Sequence, residues 1–435
     1  MRTSLLAAMA TALTWAGAAH GADIELWYGN TGPTEQAILA QCQTFNASQE
    51  AHRIICIGQG TYEVAMQKAI AAYRSGQTPA LIQFLAEGSL DIILSDAVVP
   101  VQGVLPDVDF STYVPATRSY YETSKGELYA QPWNASTLVF YTNQTQLENA
   151  GVTKTPETWE EIIEAARKLR DAGSTCPYAT NAEPWSMFEQ FSARHGLPIA
   201  SQDNGYSGLD AEYVFNTTFF VDHLRNLIEW RKEGLVRIPA DIQAANYTQA
   251  FASGECAMIE NSTGAYPSLV AGLKDKGEVV TISLAPMYAG KERHNTFVGG
   301  GALYVMKGHS DAELEAVRAY LNFARQPDQQ LAFSAVTGTM PVTKDALDSV
   351  LAMEDGATKY PTAALGIESM TFPGLAHTKG IRLGFYLQFR QIWMEEIQKA
   401  FNGEKEAQAA LDDAKTRGDE LLRRFEQTYQ GVTLP

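Results

Sequence analysis

Apolar positions in the first hundred residues follow two alternating spacings. Ile24-Glu-Leu-Trp-Tyr28, Arg53-Ile-Ile-Cys-Ile57 and Ala80-Leu-Ile-Gln-Phe-Leu85 are short runs rich in β-branched and aromatic residues, as strands require. Between them, Thr34–Ser48 and Tyr62–Arg74 carry the wider spacing of helices. Strands alternating with helices predict parallel βαβ units, hence an α/β lobe with helices on both faces of its sheet. Ligands bind such sheets beyond the carboxyl ends of the strands. Tyr28, Tyr62 and the turn Ala86-Glu87-Gly88 therefore border a candidate cleft.

The pattern then changes lobe. Gln131-Pro-Trp-Asn-Ala-Ser-Thr137 reads as a hinge or crossover and Leu138–Asn143 as a strand. Thr158-Trp-Glu-Glu161 is a capping box whose helix runs to about Arg170 and ends at Asp171-Ala-Gly173. Helices follow near 184–194 and 218–233, and a short apolar strand precedes a second crossover at Asn261-Ser-Thr-Gly264. Val279–Ala285 and Ala302–Met306 are strands, the latter preceded by Gly299-Gly-Gly301. Ser310-Asp-Ala-Glu313 caps a helix to about Arg325, where a third crossing is expected. The expected architecture is α/β and two-lobed, with discontinuous lobes joined by a hinge. Lobe 1 comprises 23–134 with 265–325, and lobe 2 comprises 135–264 with 326–435. Hinge closure then encloses a ligand between them.

The stretch Lys379-Gly-Ile-Arg-Leu-Gly-Phe-Tyr-Leu-Gln-Phe-Arg390 is a basic loop entering an amphipathic helix, with Phe389, Ile392, Trp393, Ile397 and Ala400 on its buried face. A cation near a helix start is unfavourable unless an anion meets it there together with the free N–H groups. Arg390 therefore marks a candidate anion site. Pairing of Arg390 with a nearby carboxylate is the competing structural reading.

Composition narrows the setting. Met1-Arg2 followed by the apolar run Leu5–Ala19 and small residues near Gly21 predicts a secretory signal peptide over 1–22, and so a periplasmic, exported chain. A formal net charge of −17 excludes general nucleic-acid binding. Four cysteines in an exported chain predict two disulfides with three possible pairings. The favoured one joins Cys42 to Cys56, tying the first helix to the next strand, and Cys176 to Cys256. No metal site, cofactor motif or catalytic group is expected: the histidines are scattered, and neither a nucleophile elbow nor a phosphate loop is present.

Several motifs occur in the order found in extracytoplasmic solute-binding proteins of ABC importers. They are Gly76-x-x-Pro79-Ala80, Gln131-Pro-Trp-Asn-Ala-Ser136 with Tyr141-x-Asn143, Thr158-Trp-Glu-Glu161 and Phe251-x-x-Gly254-x-Cys256-Ala-Met258. Lys379-Gly-x-Arg-Leu-Gly384 with Arg390, and Leu421-Leu-Arg-Arg-Phe425, are narrower; with Cys176 and Cys256 they resemble the glycerol-3-phosphate branch serving the Ugp importer. The resemblance runs through the mature chain. It implies a monomeric periplasmic-binding-protein fold, not an enzyme, that binds a small phosphate ligand and delivers it to the permease subunits of an importer. It also implies a ligand set of Tyr62, Ser136, Trp185, Ser262, Gly300 and Arg390. Hydroxyls and a backbone N–H then donate to phosphate oxygens, and the guanidinium supplies charge and a bidentate fork.

Three positions depart from that pattern. The acid that grips glycerol hydroxyls falls on Ala86, with Glu87 one residue along; a one-residue slip in a strand aims the carboxylate at the opposite face unless the turn compensates. A second pocket tryptophan falls near Ala182, and a tyrosine becomes Thr339. The phosphate half of the site is thus retained and the glycerol half altered. Space left by the missing tryptophan, with Phe385 and Tyr386 offering cation–π faces, extends the expected ligands to glycerophosphocholine and other glycerophosphodiesters. The alternatives are a receptor for neutral oligosaccharides and a secreted phosphodiesterase.

Overall fold

The structure is a computed structural model that describes residues 21–432 and residue 434. The expected signal peptide over 1–22 thus lies outside the described residues except for its last two positions. Among the described residues the chain forms β1 (Asp23–Tyr28), β2 (Arg53–Gly58), β3 (Leu81–Leu85), β4 (Val98–Val99), β5 (Ala130–Ser136), β6 (Leu138–Asn143), β7 (Tyr178–Ala179), β8 (Val236–Arg237), β9 (Met258–Ser262), β10 (Val280–Leu284) and β11 (Gly299–Met306). They make two sheets. The first has the order β2-β1-β3-β11-β4, with β5 also paired to β11, and the second has the order β10-β6-β9-β7-β8.

The βαβ reading holds for the start of the chain. β1 lies parallel to β2 and β3, with helices Gly32–Ser48 and Tyr62–Ser75 as the crossovers. β11 then runs antiparallel to β3. Both capping boxes form: Thr158 and Glu161 cap the helix Trp159–Asp171, and Ser310 and Glu313 cap Asp311–Ala324. Each box satisfies donors that a helix start otherwise leaves unpaired, which is why these starts are legible locally. Both favoured disulfides are present, Cys42–Cys56 and Cys176–Cys256.

Three expectations change. Gln131–Ser136 is not a free crossover but part of β5, antiparallel to β11, with an irregularity between Gly301 and Ala302 opposite Pro132 and Asn134. Proline donates no ladder hydrogen bond, so it sits where the pairing is already broken. The chain changes sheet in one step, from Ser136 through Thr137 to Leu138.

The second crossing is not at Asn261–Gly264. β10 pairs with β6 over Val280–Asn143 to Leu284–Val139, so residues 265–284 stay with the second sheet and the return to the first runs through 285–298. The third crossing also comes later than 325. Helix Pro327–Thr337 packs on Gly32–Ser48, with Phe333 against Trp133 at 5.5 Å, and Met340 bridges to Ala135. The contact of Phe333 with Trp133 of β5 keeps this segment on the first sheet. The two early crossings touch each other: Thr137 Oγ1 lies 2.7 Å from Thr296 Oγ1 and 2.9 Å from Phe297 O.

Helix Tyr386–Phe401 anchors the second half. Phe389, Trp393, Ile397 and Ala400 are buried as the pattern predicts, while Ile392 is only half-buried. Trp393 stacks on Phe188 at 3.9 Å and Phe389 on Tyr213 at 4.0 Å. Burying each such ring contributes roughly 2–3 kcal/mol. The final helix, Ala407–Thr428, covers this one, and Gly384 lets the entering loop lie on it, since a Cβ there would stand 2.0 Å from Phe425 Cγ.

Candidate functional site

Arg390 is the fifth residue of its helix, beyond the first turn where the dipole acts. The anion expected at the helix start and the partner of the arginine are different groups. Asp91 Oδ1 accepts the N–H of Phe385, the residue before the helix, which holds a left-handed φ of +52°. Arg390 instead meets two glutamates. Its Nε donates to Glu189 Oε1 at 2.8 Å and its Nη2 to Glu189 Oε2 at 2.7 Å. Glu87 Oε1 lies 3.0 Å from the same Nη2. The Arg390 Nη1 makes no hydrogen bond to any described residue.

Glu189 comes from the π-helical turn Trp185–Glu189, and Tyr386 donates a further bond to its Oε1 at 2.9 Å. Glu87 comes from the first sheet, at the carboxyl end of β3, in the 3-10 turn Ala86–Gly88. That turn answers the one-residue slip. Strand alternation no longer applies, so Glu87 points inward and is 2% exposed. Its Oε2 is buried and has no hydrogen-bond partner among the described residues.

Electrostatics follow from burial. Desolvation pushes the Glu87 carboxyl up, while Arg390 pulls it back. Burial likewise raises Glu189, with Arg390 opposing and Glu87 adding to the rise. Burial works against the charge of Arg390, but Glu189 and Glu87 outweigh it and keep the guanidinium charged. With Glu183 near enough to push both glutamates further up, three carboxyl groups surround the one guanidinium, and this centre is acidic.

The remaining expected residues form two neighbouring groups. Tyr62 opens its helix, and its hydroxyl accepts from Asn30 Nδ2 at 3.1 Å and Asn134 Nδ2 at 3.0 Å. Asn134 Oδ1 accepts from Gln83 Nε2 and from the Gly301 N–H, each at 3.0 Å. Gly300 has φ +89°, and a Cβ there would stand 1.9 Å from Asn134 O. Ser136 faces Gly299 across the ladder, and the Trp185 ring lies against Gly299, with its Nε1 buried and without a hydrogen-bond partner among the described residues. In the other group, Ser262 Oγ accepts the Gly264 N–H at 3.0 Å, and Thr339 Oγ1 lies 2.6 Å from Thr337 Oγ1. Ser262 and Thr339 thus serve turns, as their residue types allow.

Of the two aromatic residues, Tyr386 belongs to this centre, where its ring lies under the Arg390 guanidinium at 5.8 Å from the centroid, and Phe385 does not. Tyr386 is fully buried and spends its hydroxyl on Glu189. Phe385 meets Phe425 edge-on and lines a separate cavity of about 310 Å³ with Asp91, Phe84 and Met66. Burial there pushes the Asp91 carboxyl up to about 7.

Sequence reasoning missed Glu189, Asn134 and Gln83. Glu189 and Gln83 carried a signal: a polar side chain inside an apolar run, as in Phe188-Glu189-Gln190-Phe191 or Leu81-Ile82-Gln83-Phe84, must find a partner when buried. Asn134, among the polar residues of 131–137, carried none. Among the described residues, no three His, Cys, Asp or Glu side chains group to hold a metal, and no helix is long and apolar enough to cross a membrane.

Two sheets joined by crossings, with Glu87 from the first meeting Glu189 and Arg390 from the helices of the second half, define a two-lobed binding protein. Solved structures share this fold. The GacH receptor of Streptomyces glaucescens matches with a TM-score of 0.77 at 16% identity, over 93% of this chain and 99% of that one. UgpB from Mycobacterium tuberculosis, solved with glycerophosphocholine, matches with a TM-score of 0.74 at 18% identity, over 93% and 99%. Residues 40–363 match the model of the bacterial extracellular solute-binding proteins, and the chain belongs to that family. Among its relatives, the sn-glycerol-3-phosphate-binding periplasmic protein UgpB of Yersinia enterocolitica is 34% identical over 98% of each chain. That of Escherichia coli O1:K1 is 34% identical over 93% of each.

Proposed function

We propose that this chain is the substrate-binding protein of an ABC importer that captures sn-glycerol 3-phosphate, glycerophosphodiesters such as glycerophosphocholine, or both, in the periplasm. It delivers them to the permease without transforming them. Identity of 34% over 98% of a curated glycerol-3-phosphate receptor supports the ligand class. One observation carries it chemically: among the described residues, Arg390 Nη1, a donor, and Glu87 Oε2, an acceptor, make no hydrogen bond, although they belong to the same ion pair. A phosphate ester of a polyol supplies both complements, an oxyanion for the guanidinium and a hydroxyl for the carboxylate.

In this reading Glu189 and Tyr386 fix the guanidinium plane. Ser136, Gly300 and Trp185, grouped around Gly299, are the further groups this reading assigns to the ligand, with Tyr62 holding Asn134 beside Gly300. Arg390 and Glu87 come from opposite halves, so a ligand engaging both stabilises the closed form and shifts the population towards it.

Neutral oligosaccharides are the second reading, favoured by the two glutamates that already balance Arg390. A thermal-shift panel of glycerol 3-phosphate, glycerophosphocholine, glycerophosphoethanolamine and maltose separates the two. The phosphate esters raise the melting temperature if the proposal holds. A rise with maltose alone overturns it.

A further inference from the structure

Glu87 stands on the edge of Arg390 that an incoming anion needs. Glu189 takes the Nε–Nη2 edge of the guanidinium with both oxygens, at 2.8 and 2.7 Å. Only the Nη1–Nη2 edge is left for a second bidentate partner, and Glu87 Oε1 is already 3.0 Å from its Nη2 half. The Glu87 side chain is 1% exposed, so it cannot retreat into water without the turn Ala86–Gly88 moving. A Cβ on the neighbouring Gly88 would stand 2.9 Å from Phe84 Cε1, so this turn is packed tightly against the first sheet.

We propose that Glu87 is an internal counter-anion that competes with ligand for Arg390 and restricts the site to phosphate esters that also donate a hydroxyl. This rests on the phosphate-ester reading above. An anion that takes the Nη1–Nη2 edge displaces Glu87 and leaves a buried carboxylate without its cation, which is strongly unfavourable. A ligand hydroxyl placed beside the phosphate donates to that carboxylate and offsets the loss. An anion without a donor offers no such compensation. A site that must satisfy a buried polar group rejects analogues lacking the complement far more strongly than an apolar pocket rejects a missing methylene.

The probes are sn-glycerol 3-phosphate, propyl phosphate and methyl phosphate, titrated at pH 8, where the two alkyl esters are dianions with no hydrogen to donate. Wild-type protein binds glycerol 3-phosphate at least roughly a hundredfold more tightly than propyl phosphate. Glu87→Gln removes the competing charge, so methyl and propyl phosphate bind it roughly tenfold or more tightly than they bind wild type, and the ratio to glycerol 3-phosphate collapses. This gain of binding is not produced by a merely structural role. The wild-type comparison needs no variant, so poor folding of Glu87→Gln does not shelter the proposal. Propyl phosphate within about threefold of glycerol 3-phosphate on wild type overturns it. So does a folded Glu87→Gln that gains nothing for the donor-free esters. If no phosphate ester binds wild type at all, the proposed function falls and this inference with it.

Discussion

Glu189 holds Arg390 side-on, with one oxygen on Nε at 2.8 Å and the other on Nη2 at 2.7 Å. The two residues lie 201 positions apart, and both are buried. The pair fixes the plane of the guanidinium and leaves Nη1 without a hydrogen bond among the described residues. Orientation of the guanidinium, rather than its charge alone, is what the second half of the molecule contributes.

Substitution of Arg390 separates these contributions. Arg390→Ala leaves Glu189 and Glu87 buried without a cation and costs about 3–5 kcal/mol of folding stability, with loss of phosphate-ester binding. Arg390→Lys keeps a charge but cannot serve Glu189 and a ligand through one planar fork. It melts closer to wild type yet binds at least roughly tenfold more weakly. Thermal denaturation and ligand titration on the same samples check both.

Gly300 tests the backbone beside the site. A Cβ there would stand 1.9 Å from Asn134 O, at a φ of +89° that side chains rarely adopt. Gly300→Ala must push away Asn134, which holds Tyr62 and Gln83. We expect a loss of about 1–3 kcal/mol in stability and a larger fractional loss of ligand affinity. Equal affinity in a folded Gly300→Ala protein would contradict the placement.

Asp91 predicts a pH dependence. Burial raises its folded carboxyl from an ordinary value to about 7, so the folded state holds the proton more tightly than the unfolded state does. The favourable contribution is complete below about pH 4, the unfolded range, and is lost as pH rises through about 7. Asp91→Asn keeps an acceptor for the Phe385 N–H without the charge. It should match wild type near pH 4 and exceed it at pH 8 by about 2–4 kcal/mol, read from denaturant curves across that range.

The disulfides differ in loop length. Cys176–Cys256 closes 80 residues and Cys42–Cys56 closes 14. Chain-entropy arguments give about 4.5 kcal/mol for the long loop and about 3 for the short one. Removing the Cys176–Cys256 pair by double alanine substitution should lower the melting temperature more than removing the other pair.

What was legible in the sequence was local. The βαβ start, both capping boxes and the apolar face of Tyr386–Phe401 depend on residues a few positions apart. The pairing of Val280–Leu284 with Leu138–Asn143 joins segments well over a hundred residues apart, and no local pattern records it. Of the two readings of Arg390, the structure shows the competing one, pairing with protein carboxylates, while the ligand anion remains a proposal. Asp91 takes the helix start, while Glu87 and Glu189 take the side chain. Glu87 was judged by strand alternation, whereas the 3-10 turn at Ala86–Gly88 breaks that period and brings it inside. Tyr386 was read as a cation–π face for a ligand beside the space left by a missing tryptophan. In the structure its ring meets the Arg390 guanidinium and its hydroxyl donates to Glu189, 197 positions away, contacts that no resemblance records.

The central claim is that Arg390 and Glu87 together receive a polyol phosphate. Titration calorimetry of sn-glycerol 3-phosphate and glycerophosphocholine into the purified protein tests it most directly, with maltose as the comparison. The account predicts one-to-one binding of at least one phosphate ester, with a Kd of roughly micromolar or below, and no heat from maltose. Saturable binding of maltose with no response to either ester would contradict it.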